Sequence, residues 1–109
     1  MTLTADLIWH IIPSVKGKLI QHLKIREDNG NIVEIKMWDV KPSLDKLHGY
    51  KYSLVYIAKG KRVIGYDNAE GQGDHKHYRD KIEPYTFKDL NTLAEDFYED
   101  MERFKEGKL

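Results

Sequence analysis

The chain has 109 residues, with 18 basic and 18 acidic side chains, no cysteine and a formal net charge of zero. The missing cysteines exclude a disulfide framework and a thiolate zinc site, and the balanced charge excludes a strongly basic nucleic-acid binder. The length allows a single domain, 1–109, whose modest core leaves room for a partner or for self-association, a homodimer being the simplest form.

Residues 1–17 form an N-terminal segment. Met1 to His10 lacks a basic stretch and a long apolar stretch, and Asp6 interrupts it, so it does not read as a signal peptide. No apolar run approaches the roughly 18–20 residues that span a bilayer. A soluble, cytoplasmic protein without a membrane partner is expected. Leu7, Ile8, Ile11 and Ile12 fit a short helix ending before Pro13 or an edge strand equally well.

From Lys18 the hydrophobic period is two. Lys18 to Glu27 reads as a strand with Leu19, Leu23 and Ile25 on one face and Ile20, His22, Lys24 and Arg26 on the other. Asp28-Asn29-Gly30-Asn31 is a turn signal, because Asn and Gly tolerate positive φ. Ile32 to Lys41 returns as a second strand that Pro42 ends, since proline has no N–H for the ladder. After a loop from Ser43 to Gly49, Tyr50 to Lys59 is rich in residues that suit a pleated surface. Lys59-Gly60-Lys61 turns it into Arg62 to Asp67. A fifth strand is expected over His75 to Glu83.

After Pro84 the period becomes 3.6. Phe87, Leu90, Leu93, Ala94, Phe97, Met101 and Phe104 fall on one stripe. Thr86 is the expected cap, with Asp89 favouring the helix dipole, and Gly107 is the stop. The short connections favour antiparallel pairing. The expected fold class is α+β: an antiparallel meander of four to five strands over residues 18–83, packed against a C-terminal helix over 86–106. Residues 88–109 hold 7 of the 18 acidic side chains and only 4 of the 18 basic ones. An ordinary solvated helix face explains this, and so does a helix kept away from a polyanion bound elsewhere.

Residues 66–78 break the strand pattern with a crowd of polar and glycine residues: Tyr66, Asp67, Asn68, Gly71, Gly73, Asp74, His75, Lys76, His77 and Tyr78. Gly71 and Gly73 allow unusual backbone shapes and close approach of a ligand. In an extended segment His75 and His77 share a face, roughly 6.5–7 Å apart. Such a pair suits acid–base work on a phosphodiester, because histidine titrates near neutrality. It also suits a metal, with Asp67, Asp74 or His22 as a third ligand. Two surface histidines with no chemistry fit the spacing too. On the strand pattern Arg79 points with the pair and could steady charge on a phosphate, while Lys76 points away. Tyr50, Tyr52 and Tyr56 share a strand face, which serves either base stacking or a half-buried sheet. Trp9 and Trp38 read as core or partner contacts.

Residues 50–77, from Tyr50-Lys51-Tyr52 through Gly71-Gln72-Gly73-Asp74-His75-Lys76-His77, together with Glu83-Pro84-Tyr85-Thr86-Phe87, resemble the signature of the TumE family of prokaryotic toxin components. The resemblance covers roughly residues 18–104. Ala69 and Gln72 depart from the pattern, and the latter leaves the loop less basic. The resemblance implies a toxin neutralised by a helix-turn-helix antitoxin. The expected function is a small ribonuclease acting on an RNA substrate without cofactor or metal. His75 and His77 would be base and acid, Arg79 and loop amides would hold the phosphate, and Asp67 or Asp74 would orient an imidazole. Tyr66, Asn68, Gly71, Gly73 and Lys76 are the expected substrate contacts. A metal-dependent nuclease using the same histidines, and a binding protein without catalysis, are the alternatives.

Overall fold

A computed structural model describes residues 17–69 and 71–109; the N-terminal alternatives and Trp9 lie outside them. The elements in chain order are β1 (Lys18–Arg26), β2 (Ile32–Asp39), β3 (Tyr50–Ala58), β4 (Lys61–Asp67), β5 (His75–Tyr78), β6 (Lys81–Pro84) and α1 (Leu90–Lys105). The six strands form one antiparallel sheet in sequential order, β1-β2-β3-β4-β5-β6. The class is α+β as expected, with one strand more than the four to five read from the sequence. The expected fifth strand is two: Arg79 takes φ 53° and the chain reverses between Tyr78 and Lys81.

The helix covers one face of the sheet. Leu93, Phe97 and Met101 are buried on α1 against Val33, Ile35, Met37, Tyr52, Leu54, Tyr56, Ile64 and Tyr66. Full burial of one such side chain contributes about 1.5–3 kcal/mol. Tyr52 and Tyr56 are thereby core residues, 2% and 0% exposed. In β1 a bulge at Ile20 puts Leu19 opposite Trp38 while Gln21 faces Met37. An extra residue inverts the alternation on its two sides, so Leu19 does not share the face of Leu23 and Ile25. The helix is capped by Asp89 rather than Thr86: the Asp89 carboxylate accepts the N–H of Thr92 at 2.7 Å. Phe87 falls outside the helix, and its ring lies 4.0 Å from that of His48.

The acidity of the helix has a structural use. Asp100 accepts the Tyr66 hydroxyl at 2.5 Å and Asp96 accepts that of Tyr85 at 2.6 Å. At the far end, Lys105 reaches Glu27 at 2.7 Å, and Glu27 also accepts the Tyr56 hydroxyl at 2.6 Å. Burial, and then the accepting carboxylate, push Tyr52, Tyr66 and Tyr85 well above the usual phenol range. A folded-state value raised above the unfolded one stabilises the fold below about pH 10, and that stability is lost as pH rises further. Alkaline titration followed by phenolate absorbance should show these three tyrosines ionising only as the protein unfolds. Ionisation of all tyrosines near pH 10 with the fold intact would contradict the pairing.

Candidate functional site

Strand alternation puts a second set of side chains on the face away from α1. Across the sheet, His22, Lys36, Ser53, Asp67, His75 and Pro84 form one transverse row. Lys24, Glu34, Val55, Gly65, His77 and Ile82 form the next. Asp67, His75 and His77 meet where β4 and β5 pair. The two imidazole centroids are 4.8 Å apart and the rings are inclined at 72°. His75 and His77 are 8% and 9% exposed, and His75 opens on a groove of about 270 Å³ lined also by Gln72, Asp74, Ile82, Glu83 and Pro84.

The two histidines have opposite surroundings. Nδ1 of His75 lies 3.0 Å from the Gly73 carbonyl, which only accepts, so Nδ1 carries a hydrogen. Its Nε2 is 2.6 Å from Asp67 Oδ1. An oxygen therefore lies beside each ring nitrogen. Nδ1 of His77 lies 3.2 Å from Arg62 Nη2, and a guanidinium only donates. That nitrogen must hold its lone pair, so Nε2, 3.3 Å from Asp67 Oδ2, carries the hydrogen of a neutral ring. Burial, and then the Arg62 charge, hold His77 below the usual imidazole range.

Asp67 Oδ1 and His77 Nε2 are buried without a hydrogen-bond partner. The close approach of His75 to Oδ1 is thus not aligned as a hydrogen bond. An unsatisfied buried polar group costs about 1–3 kcal/mol. Such a cost is tolerated where a ligand or a reaction supplies the partner.

Arg62 was not legible as a site residue. Simple alternation from Asp67 assigns it to the helix side, but a bulge beside Ile57 pairs Arg62 with that residue and turns it outward. Gly65 makes room for it: a Cβ there would lie 3.2 Å from Arg62 Cδ and 3.5 Å from His77 Cδ2.

The other expected site residues are dispersed. Arg79 sits in the β5–β6 turn with its guanidinium over the rings of Tyr78 and Phe104, at 5.3 and 5.6 Å. Its departure from the extended path takes it away from the histidine pair. Lys76 lies on the helix side, 5.9 Å from the Tyr66 ring and 3.5 Å from Glu83. Tyr66 is in the core. Asn68 is 1% exposed and continues the ladder with its amide: Oδ1 accepts the Tyr52 N–H at 3.0 Å, and Nδ2 donates to the Tyr50 carbonyl at 2.8 Å. Gly71 donates its N–H to Asp45 at 3.1 Å, and Gly73, at φ 69°, presents its carbonyl to His75. Asp74 turns away from the pair to His48 and Tyr52.

The depressed His77 value stabilises the fold above about pH 6.5, and that stability is lost as pH falls through the folded-state value. Melting temperatures measured from pH 8 to pH 4 should fall on the acid side, and Arg62→Leu should make that fall shallower. An identical acid-side slope in both proteins would contradict the role of Arg62.

A family model described as Toxin TumE matches residues 11–105. No curated protein and no solved structure matches the chain.

Proposed function

We propose that this chain, which belongs to the TumE family of toxins, cleaves RNA through Asp67 and His75 without a metal. Membership implies an antitoxin partner; we take it to be a helix-turn-helix protein, and the compartment to be the cytoplasm. Among the described residues no helix is long and apolar enough to cross a membrane.

The observation that supports the chemistry is the close, unaligned approach of His75 Nε2 to the buried Asp67 Oδ1 at 2.6 Å. A 2′-hydroxyl entering by the groove would give its proton to Asp67. The freed 2′-oxygen attacks phosphorus, and the bond from phosphorus to the 5′-oxygen breaks. His75 Nε2 passes its proton to that leaving oxygen. The products are a 2′,3′-cyclic phosphate and a 5′-hydroxyl. His77 offers its Nε2 hydrogen to the charge on the phosphate, held in that tautomer by Arg62. The acid is thus His75, and the base expected of the second histidine passes to Asp67, because a neutral ring already carrying its Nε2 hydrogen has no lone pair there.

A second reading is favoured by one observation. One donor atom from each of Asp67, His75 and His77 fits within 4.8 Å, a spacing that a cation could bridge. That reading requires His77 to ligate through Nε2, and hence Arg62 to release Nδ1. Expression without the antitoxin, followed by mapping of cellular RNA ends, tests the function. New cyclic-phosphate ends are expected, and purified protein should give the same ends in EDTA. Activity lost in EDTA and restored by a divalent ion would replace the first reading by the second. Absence of cleavage of any RNA by toxic protein would leave only binding.

A further inference from the structure

Two loops are fastened together beside the site. The loop between β2 and β3 carries Asp45 and His48, and the loop between β4 and β5 carries Gly71, Gly73 and Asp74. Gly71 N–H donates to Asp45 Oδ2 at 3.1 Å. The Tyr50 N–H donates to Nδ1 of His48 at 3.1 Å, which fixes the tautomer and puts the ring's hydrogen on Nε2. That Nε2 donates to both carboxylate oxygens of Asp74, at 3.0 and 3.2 Å. The Tyr52 hydroxyl donates to Asp74 Oδ1 at 2.7 Å. The Asp74 carbonyl accepts the Tyr85 N–H at 3.1 Å. Asp74 is therefore gripped by side chain and by backbone, and the His48 ring itself packs against Phe87.

The residue so gripped lies between Gly73 and His75. The Gly73–Asp74 peptide supplies the carbonyl that holds Nδ1 of His75. Gly73, at φ 69°, is a joint with no side chain to restrain it. We infer that His48 and Tyr52 are positioning residues for His75: through Asp74 they fix the Gly73 carbonyl, which sets the tautomer of His75 and aims its Nε2 at Asp67. Any effect on turnover rests on the proposed role of His75; the effect on the ring does not.

The test reads the ring directly. The chain has 5 histidines, and nitrogen-15 NMR of their side chains separates the tautomers. His75→Gln identifies the His75 signals. In the wild type, His75 should show a single tautomer, with the hydrogen on Nδ1. In His48→Ala and in Tyr52→Phe, which removes only a hydroxyl, the neutral ring should populate both tautomers. Cleavage should fall about 10–100-fold in kcat, the size expected for a small misplacement of a reacting group, with KM little changed. His48→Gln, whose amide N–H can reach Asp74, should restore the single tautomer. Unchanged His75 signals in folded Tyr52→Phe and His48→Ala would overturn the inference, and so would His48→Gln behaving like His48→Ala. Because the spectra need no substrate, a failure of the ribonuclease reading would leave this result standing, and the reverse also holds.

Discussion

His75→Ala should lower RNA cleavage by about 10²–10⁴-fold, the usual contribution of one proton-transferring group, and should relieve growth arrest. The fold should survive. His75 lies on the face away from α1 and contributes no side chain to the core that joins sheet and helix. Its loss frees the Gly73 carbonyl, which a short loop can turn to water. His77→Ala is predicted to behave differently. It removes the partner of Arg62 from a buried position and should cost both stability and rate. The measurement is single-turnover cleavage beside a melting curve for each variant. A fully toxic His75→Ala would end the catalytic reading.

Phe97→Ala should cost about 3–5 kcal/mol, the range for a large aromatic removed from a packed interior. Phe97 is 0% exposed and its ring meets that of Tyr66 edge-on, with centroids 6.1 Å apart. The cavity would open beneath α1, where it packs on the sheet. For a domain of 5–15 kcal/mol total stability, that loss is enough to unfold a large fraction of molecules near 37 °C. Tyr66→Phe makes a useful contrast. It keeps the packing and removes the hydroxyl that Asp100 accepts, so a cost of about 1 kcal/mol is expected. Urea denaturation of the two variants measures both values. Equal costs would mean that the hydroxyl pair, rather than the ring, fastens the helix.

Much of this fold was legible because strand and helix periods are local properties. The β1–β2 and β3–β4 hairpins follow from Asn-Gly and Lys-Gly turns between alternating runs, and the helix stripe follows from its 3.6 period. What escaped are places where one residue changes the phase. The extra residue at Ile20 inverts the face of Leu19, and the bulge beside Ile57 turns Arg62 outward. The reversal at Arg79 splits a strand, because that residue takes a positive φ that its sequence does not advertise. Thr86 and Asp89 can both cap a helix, and Phe87 decides between them by packing on His48 and Tyr52 outside the helix.

The site divides along the same line. That His75 and His77 share a face follows from spacing alone. That Asp67 stands opposite His75 depends on the β4–β5 register, and spacing does not show which residue pairs with which. The partners that set each tautomer, Gly73 and Arg62, are a backbone carbonyl and a residue displaced by a bulge. The Asp74 carboxylate meets His48 instead of His75, a contact between residues 26 apart in the chain.

The central claim is that Asp67 and His75 form a metal-free pair that transfers protons during RNA cleavage. Its most direct test is end analysis of a labelled RNA incubated in EDTA with the purified wild type and with Asp67→Asn. The wild type should leave 2′,3′-cyclic phosphate and 5′-hydroxyl ends, and the folded variant should leave none above background. Undiminished cleavage by Asp67→Asn, or ends of any other chemistry, would contradict the account.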